Sequence, residues 1–150
     1  MIKKINHKEA ETSHQIYTLF QASYRIEAKL LKVDDFPPLR RTIDDFISSN
    51  TEFYAYWKNN EIAAIVEILR DNKCTDIHSL VVYPKYFRQG LGKELMTFLL
   101  DTIDAEIFTV ETGLENTPAT RLYKKMGFQE VEQWDTEFGI RKIKFKKSIQ

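Results

Sequence analysis

Two glycines flanked by cations stand out first. The run Arg88-Gln89-Gly90-Leu91-Gly92-Lys93 follows an apolar strand-like segment and opens a helical pattern. The first turn of a helix leaves four backbone N–H groups without intrahelical partners, and glycine, having no Cβ, lets a ligand approach them. Those donors, the positive end of the helix dipole, and Arg88 and Lys93 beside them suit a phosphate or pyrophosphate. Two familiar phosphate loops do not fit. The dinucleotide fingerprint requires a third glycine where Leu95 stands. The nucleoside-triphosphate loop requires Ser or Thr where Glu94 follows Lys93, and a glycine five residues before Gly92 that is absent. A second group of residues could move protons. Asp76 and His78 are two apart in a strand, hence on one face and able to act together through water. The imidazole titrates near neutral pH. Glu67, inside the apolar run Ala63 to Leu69, is a further candidate base.

These residues need elements to hold them. Ile77 to Val82 reads as a strand, stopped by Pro84 because a proline cannot donate to a sheet ladder. From about Gln89 to Thr102 the apolar residues Leu91, Leu95, Phe98 and Leu99 recur at helical spacing. Upstream, Met1 to Asn6 is a short strand, His7 to Lys32 a long helix, and Leu39 to Ser49 a second helix after the turn at Phe36-Pro37-Pro38. Residues 52–58 and 61–69 form a hairpin about Asn59-Asn60, and 75–83 extends it into an antiparallel meander. Residues 106–111 make another strand, parallel to the one at 77–82 because a helix crosses between them. Asn116 to Met126 is a helix, capped by Asn116, with Pro118 in its first turn and Gly127 at its end. Strands at 131–134 and 138–145 close the chain. The alternating basic residues of Arg141 to Lys147 predict a solvent-exposed edge strand guarded by lysines, not a nucleic-acid stripe.

Composition narrows the function classes. A chain of 150 residues, 43% hydrophobic and 29% charged, has the makeup of one soluble domain, here 1–150. Its 22 basic and 22 acidic residues cancel, so there is no general field for a nucleic-acid backbone or an anionic membrane, and an anion site must be local. A single cysteine, Cys74, rules out an internal disulfide or thiolate metal cluster and points to the cytoplasm. No signal peptide or membrane span is expected, nor any metal.

The motif Val82-Tyr83-Pro84 followed by Gly90-x-Gly92 resembles the acyl-coenzyme A signature Q/R-x-x-G-x-G/A of the GNAT N-acetyltransferase superfamily. Phe87 occupies its first position, with Arg88 and Gln89 adjacent. Since the family's cradle is mostly main-chain N–H, this departure is expected to change one side-chain contact and leave phosphate binding intact. The second half of the resemblance is Asn116-x-x-Ala119-x-x-Leu122-Tyr123-x-x-x-Gly127-Phe128, after a strand ending Glu111-Thr112-Gly113. Together the motifs cover about residues 52 to 146. The resemblance implies a mixed α/β fold of GNAT type, with a mostly antiparallel central sheet, one splayed parallel strand pair and flanking helices. It also implies an N-acetyltransferase that uses acetyl-CoA and needs no metal.

The resemblance further assigns roles. Leu80, Val82, Arg88, Gln89, Gly90, Gly92, Lys93, Asn116 and Tyr123 would bind the coenzyme, Asn116 at the pantetheine arm and Tyr123 at the sulfur. The Val82 N–H would stabilise the oxyanion and Tyr123 would be the general acid. Its ordinary pKa of about 10 lets it protonate a thiolate whose acid has a pKa of about 8.5. Glu111 and Asp76 match base positions of different relatives, and His78 remains a third possibility. The acceptor side falls on the two N-terminal helices, making Tyr24, Arg25, Glu27, Lys32, Asp34 and Asp35 candidates for reading the substrate. That substrate would be a primary amine of a small molecule or an exposed protein amino group, attacking directly in a ternary complex. A homodimer stays open. Two other readings also remain, a catalytically idle coenzyme A-binding regulatory module and a nucleotide-phosphate enzyme.

Overall fold

The computed structural model describes residues 1–149. The chain runs β1 (Ile2–Ile5), α1 (Ala10–Leu31), a 3-10 turn at Pro37–Arg40, α2 (Ile43–Ile47), β2 (Glu52–Lys58), β3 (Glu61–Asp71) and β4 (Cys74–Val82). After a 3-10 turn at Pro84–Tyr86 come α3 (Leu91–Thr102), β5 (Ile107–Gly113), α4 (Thr117–Lys125), β6 (Gln129–Asp135) and β7 (Arg141–Ser148). Among the described residues these strands form one sheet in the order β1-β2-β3-β4-β5-β7-β6. Only β4 and β5 pair in parallel; the other neighbours are antiparallel. No helix of the described residues is long and apolar enough to cross a membrane.

Local chemistry accounts for the boundaries that differ from expectation. α1 starts three residues late because Asn6 holds the chain in a turn, its side chain accepting from Lys8 N–H and its carbonyl from Glu9 N–H. The second helical segment breaks in two at Thr42. The Thr42 hydroxyl accepts from Asp45 N–H while the Asp45 carboxylate accepts from Thr42 N–H, a reciprocal cap that restarts the helix.

Apolar side chains fill both faces of the sheet. Under α3 and α4 lie Leu95, Met96, Leu99, Ile68, Phe108 and Phe145; under α1 and α2 lie Ile16, Leu19, Phe20, Phe46, Phe53 and Ile65. Each fully buried side chain of this size contributes about 1.5–3 kcal/mol. The lysine-rich strand β7 corrects the edge-strand expectation, for it lies between β5 and β6. Ile143 and Phe145 point into the core while Lys142, Lys144 and Lys146 alternate to the other face, a pattern that an interior strand covered on one face produces equally well. β6 is the edge.

One irregularity shapes the centre. Glu67 opposes Ser79 and Ile68 opposes Ile77, so His78 is an extra residue in β4, a β-bulge. Before it, Ile77 packs into the α3/α4 side; after it, Val81 packs into the α1/α2 side while Leu80 and Val82 contact the α3/α4 core. The bulge shifts which residues face which layer.

Candidate active site

β4 and β5 stay paired only from Cys74↔Ile107 to Ile77↔Val110. Beyond that point they diverge and a cleft of ≈ 940 Å³ opens between them. Its walls carry Leu80 from β4, Glu111 and Thr112 from β5, Asn116 and Tyr123 from α4, and Tyr24 and Glu27 from α1. Tyr83 N–H bonds Ala63 O on the β3 side. Strand alternation therefore turns the Val82 N–H toward the opposite, unpaired edge of β4.

The glycine loop sits at the start of α3. Gly90 is the helix N-cap with φ +77°, a left-handed conformation, and a Cβ placed there would meet nothing within 4 Å. Arg88 is left-handed as well, at φ +63°. Gly92 faces inward, where an added Cβ would lie 3.6 Å from Leu122 and 3.7 Å from Leu80, tying the loop to the cleft wall. Gln89, Gly90 and Lys93 line a shallow hollow of their own, and the Gln89 side-chain oxygen Oε1 accepts from Lys58 Nζ at 2.5 Å.

The titratable residues differ in their commitments. Glu67 is fully buried and spoken for. Arg41 grips it with two bonds of 2.7 Å, and the Thr51 and Ser79 hydroxyls donate to it at 2.6 and 3.0 Å. Burial alone would raise its pKa; the Arg41 fork and the two hydroxyls outweigh that and hold the carboxyl below its ordinary value. It is a structural anion beneath the cleft. Asp76 accepts from Thr109 Oγ1 at 2.5 Å and lies 3.2 Å from His78 Nε2, so the strand does bring these two together. They face a smaller recess that adjoins the cleft. Glu111 lines the cleft and lies 3.6 Å from Lys142 Nζ.

Tyr123 is buried on α4, its ring against Phe128 and Phe145, and burial followed by the charge of Glu27 pushes its hydroxyl up from the ordinary phenol range. Tyr24 is raised for the same two reasons. Burial raises Glu27 to about 7, opposed in part by Lys142. The Asn116 side chain caps α4 by accepting from Ala119 N–H at 3.4 Å, and its amide donates to Thr112 Oγ1 at 3.4 Å.

Of the N-terminal candidates the fold brings Tyr24 and Glu27 into the cleft. Arg25 faces solvent, Lys32 is the left-handed cap of α1, and Asp35 pairs with Arg40 at the surface; none of these three, nor Asp34, lines the cleft. Sequence reasoning missed the rim formed by Phe36, Pro37 and Pro38 with Phe138 and Ile140. Its one signal was aromatic and proline residues in loops, and Phe36 and Ile140 are in part accounted for by a small cluster they form with Ala28. Arg41, a cleft-wall cation neutralised from below, carried no local signal because its partner Glu67 is 26 residues away.

An open mixed sheet that parts at its single parallel pair, above a glycine-capped helix start, defines a class of α/β protein with a through-sheet cleft. The chain belongs to the GNAT acetyltransferase family, whose model, described as "Acetyltransferase (GNAT) family", matches residues 13–128. It is 34% identical over 133 residues to the UPF0157 protein YqkA of Bacillus subtilis, covering 88% of this chain but 39% of that longer protein. It is 30% identical over 117 residues to the [Ribosomal protein bS18]-alanine N-acetyltransferase of Escherichia coli, covering 73% of this chain and 74% of that one. The fold superposes on the Escherichia coli ribosomal-protein-S18-alanine N-acetyltransferase structure with a TM-score of 0.80 at 21% identity, covering 100% and 94% of the two chains. It superposes on the PaiA N-acetyltransferase of Thermoplasma acidophilum, solved in complex with coenzyme A, with a TM-score of 0.76 at 12% identity, covering 99% and 98%.

Proposed function

We propose that residues 1–150 act as one acetyl-CoA-dependent N-acetyltransferase domain, moving an acetyl group directly to a primary amine of a small molecule or to an exposed protein amino group. The observation that carries this reading is the splay. Where β4 and β5 part, one strand edge is left with donors facing a cleft lined by Leu80, Asn116 and Tyr123, and Leu80 in turn packs beside Gly92 of the glycine loop. The loop fits a pyrophosphate: the space beyond Gly90 is empty, its backbone is left-handed, and the first N–H groups of α3 are unspent. Arg88, Gln89 and Lys93 would surround the phosphates, with Leu80, Val82 and Asn116 along the pantetheine arm. Phe87 is half exposed beside them and supplies no charge.

Acetyl-CoA supplies an activated acyl carbon. This chain's residues orient it, stabilise charge and move protons. Val82 N–H would donate to the carbonyl oxygen as negative charge develops there. Tyr123 would give its proton to the departing sulfur. Glu111, Asp76 and His78 stand on or beside the cleft as bases for the amine. We place the protein in the cytoplasm, where its lone cysteine stays reduced, and leave a homodimer possible. Acetyl-CoA at about 100 times its dissociation constant should stabilise the fold by roughly 2.7 kcal/mol, and thiol should be released when an acceptor amine is added. Stabilisation by ATP or NAD in place of acetyl-CoA would sink the reading; binding without thiol release across an amine library would favour the idle coenzyme A-binding module.

A further inference from the structure

We propose that Glu27 is the group that receives the acceptor's ammonium and takes its proton before attack. The inference rests on the acetyltransferase reading and names a residue toward the amine that the motifs do not mark. Every cation on the cleft wall already has an anion: Arg40 pairs with Asp35, Arg41 with Glu67, and Lys142 with Glu111. Among the anions, Asp45 is engaged in the α2 cap and Asp76 with His78 and Thr109. Glu27 has no hydrogen bond and no ion pair within 4 Å among the described residues, although its side chain is partly buried inside the cleft. A cleft whose cations are spent and whose inner carboxylate is free has a place for a cation. A protonated amine is the cation this chemistry brings.

Position agrees. Glu27 is three residues after Tyr24 on α1, on the same helix face, and its charge reaches both the Tyr24 and the Tyr123 hydroxyls. From the other packed elements it is faced by Lys142 on β7, Glu111 on β5 and Tyr123 on α4, with Arg41 and Asp45 across from α1, His78 on β4 and Glu137 at the rim. Burial tunes its carboxyl to about 7, with Lys142 opposing, where a base both holds and releases a proton near neutrality. In the step itself, one ammonium proton passes to the Glu27 carboxylate and the amine lone pair forms the new C–N bond. The C–S bond breaks, its electron pair leaving on sulfur, which takes the Tyr123 proton. The second nitrogen proton restores Tyr123, and Glu27 returns its proton to water. The totals are one amide, one thiol and one released proton.

The test uses the full chain with two probe acceptors, a peptide bearing a free N-terminal alanine and 1,4-diaminobutane, together with carboxyl 13C NMR on the unliganded protein. Glu27→Gln identifies the Glu27 resonance by its disappearance. A midpoint near 7 is expected, and one in the ordinary carboxylate range overturns the proposal whether or not either probe turns over. With the probe that turns over, Glu27→Gln should lower kcat/KM for the amine about 10²- to 10⁴-fold and abolish the acidic limb of its pH profile, with acetyl-CoA affinity unchanged. Retention of that limb within threefold of the wild-type rate overturns the role, as does an equal loss of acetyl-CoA affinity. Failure of the wild-type protein to bind acetyl-CoA at all would instead fail the acetyltransferase reading.

Discussion

Tyr123 and Glu67 are both buried polar residues, yet the chain invests in them differently. Glu67 is saturated, with four bonds from Arg41, Thr51 and Ser79, and a saturated group has nothing left for a substrate. The Tyr123 hydroxyl makes no hydrogen bond among the described residues and borders the cleft, so it keeps its proton available. Tyr123→Phe should therefore leave the ring packed on Phe128 and Phe145, with stability and acetyl-CoA affinity unchanged. Turnover should fall about 10²- to 10⁴-fold. Steady-state kinetics beside calorimetric binding would check this, and a wild-type rate in the variant would remove Tyr123 from proton transfer.

At the scale of elements, the site depends on how closely α1 is laid against the end of β5. An added Cβ at Gly113 would come within 2.7 Å of Leu31 Cδ2, so no larger residue fits unless the Leu31 side chain shifts. Gly113→Ala should cost about 1–2 kcal/mol in denaturant unfolding, limited because the clash is with the tip of a flexible side chain, and Leu31→Ala in the same chain should recover part of it. The sequence revealed the elements well wherever spacing is local: the meander from 52 to 83, the crossover from β4 to β5, and the α4 cap at Asn116. It did not reveal relations that only the sheet creates. β7 carries the composition of an edge and sits inside, because a one-sided strand alternates in the same way in either place. Arg41 and Glu67 meet across 26 residues, and nothing in either neighbourhood announces the other. Glu27 was legible as one of several polar residues on a helix; its isolation in the cleft was not.

For the molecule as a whole, two carboxylates set opposite pH limits. The Glu67 carboxyl is held below its unfolded value, so its contribution is present above the unfolded pKa of 4.5 and lost as pH falls. Glu27 is raised from 4.5 to about 7, so its contribution is full below 4.5 and lost as pH rises through about 7. On these two groups the unliganded protein should be most stable near pH 4.5, losing stability as pH rises from there through about 7. Glu27→Gln should remove the decline toward pH 8, a gain of about 1–2 kcal/mol there after allowance for solvent screening. Melting curves across that range would read it, and an unchanged slope would refute the assignment. The bulge at His78 has a consequence of another kind, one of parity. Along β4, odd-numbered Ile77 and even-numbered Leu80 belong to the same layer, because His78 resets the count between them. No substitution at 78 changes that count, since any side chain still occupies one place. Nor does deleting the residue change which layer its neighbours face: it closes the bulge, makes Ile68↔Ile77 and Glu67↔Ser79 adjacent rungs of a regular ladder, and leaves Leu80 and Val82 in the α3 layer with Val81 opposite. A chain lacking His78 should therefore bind acetyl-CoA as His78→Ala does, and loss of binding on deletion alone would show that the local twist of the bulge, rather than the order of the layers, holds the splay open.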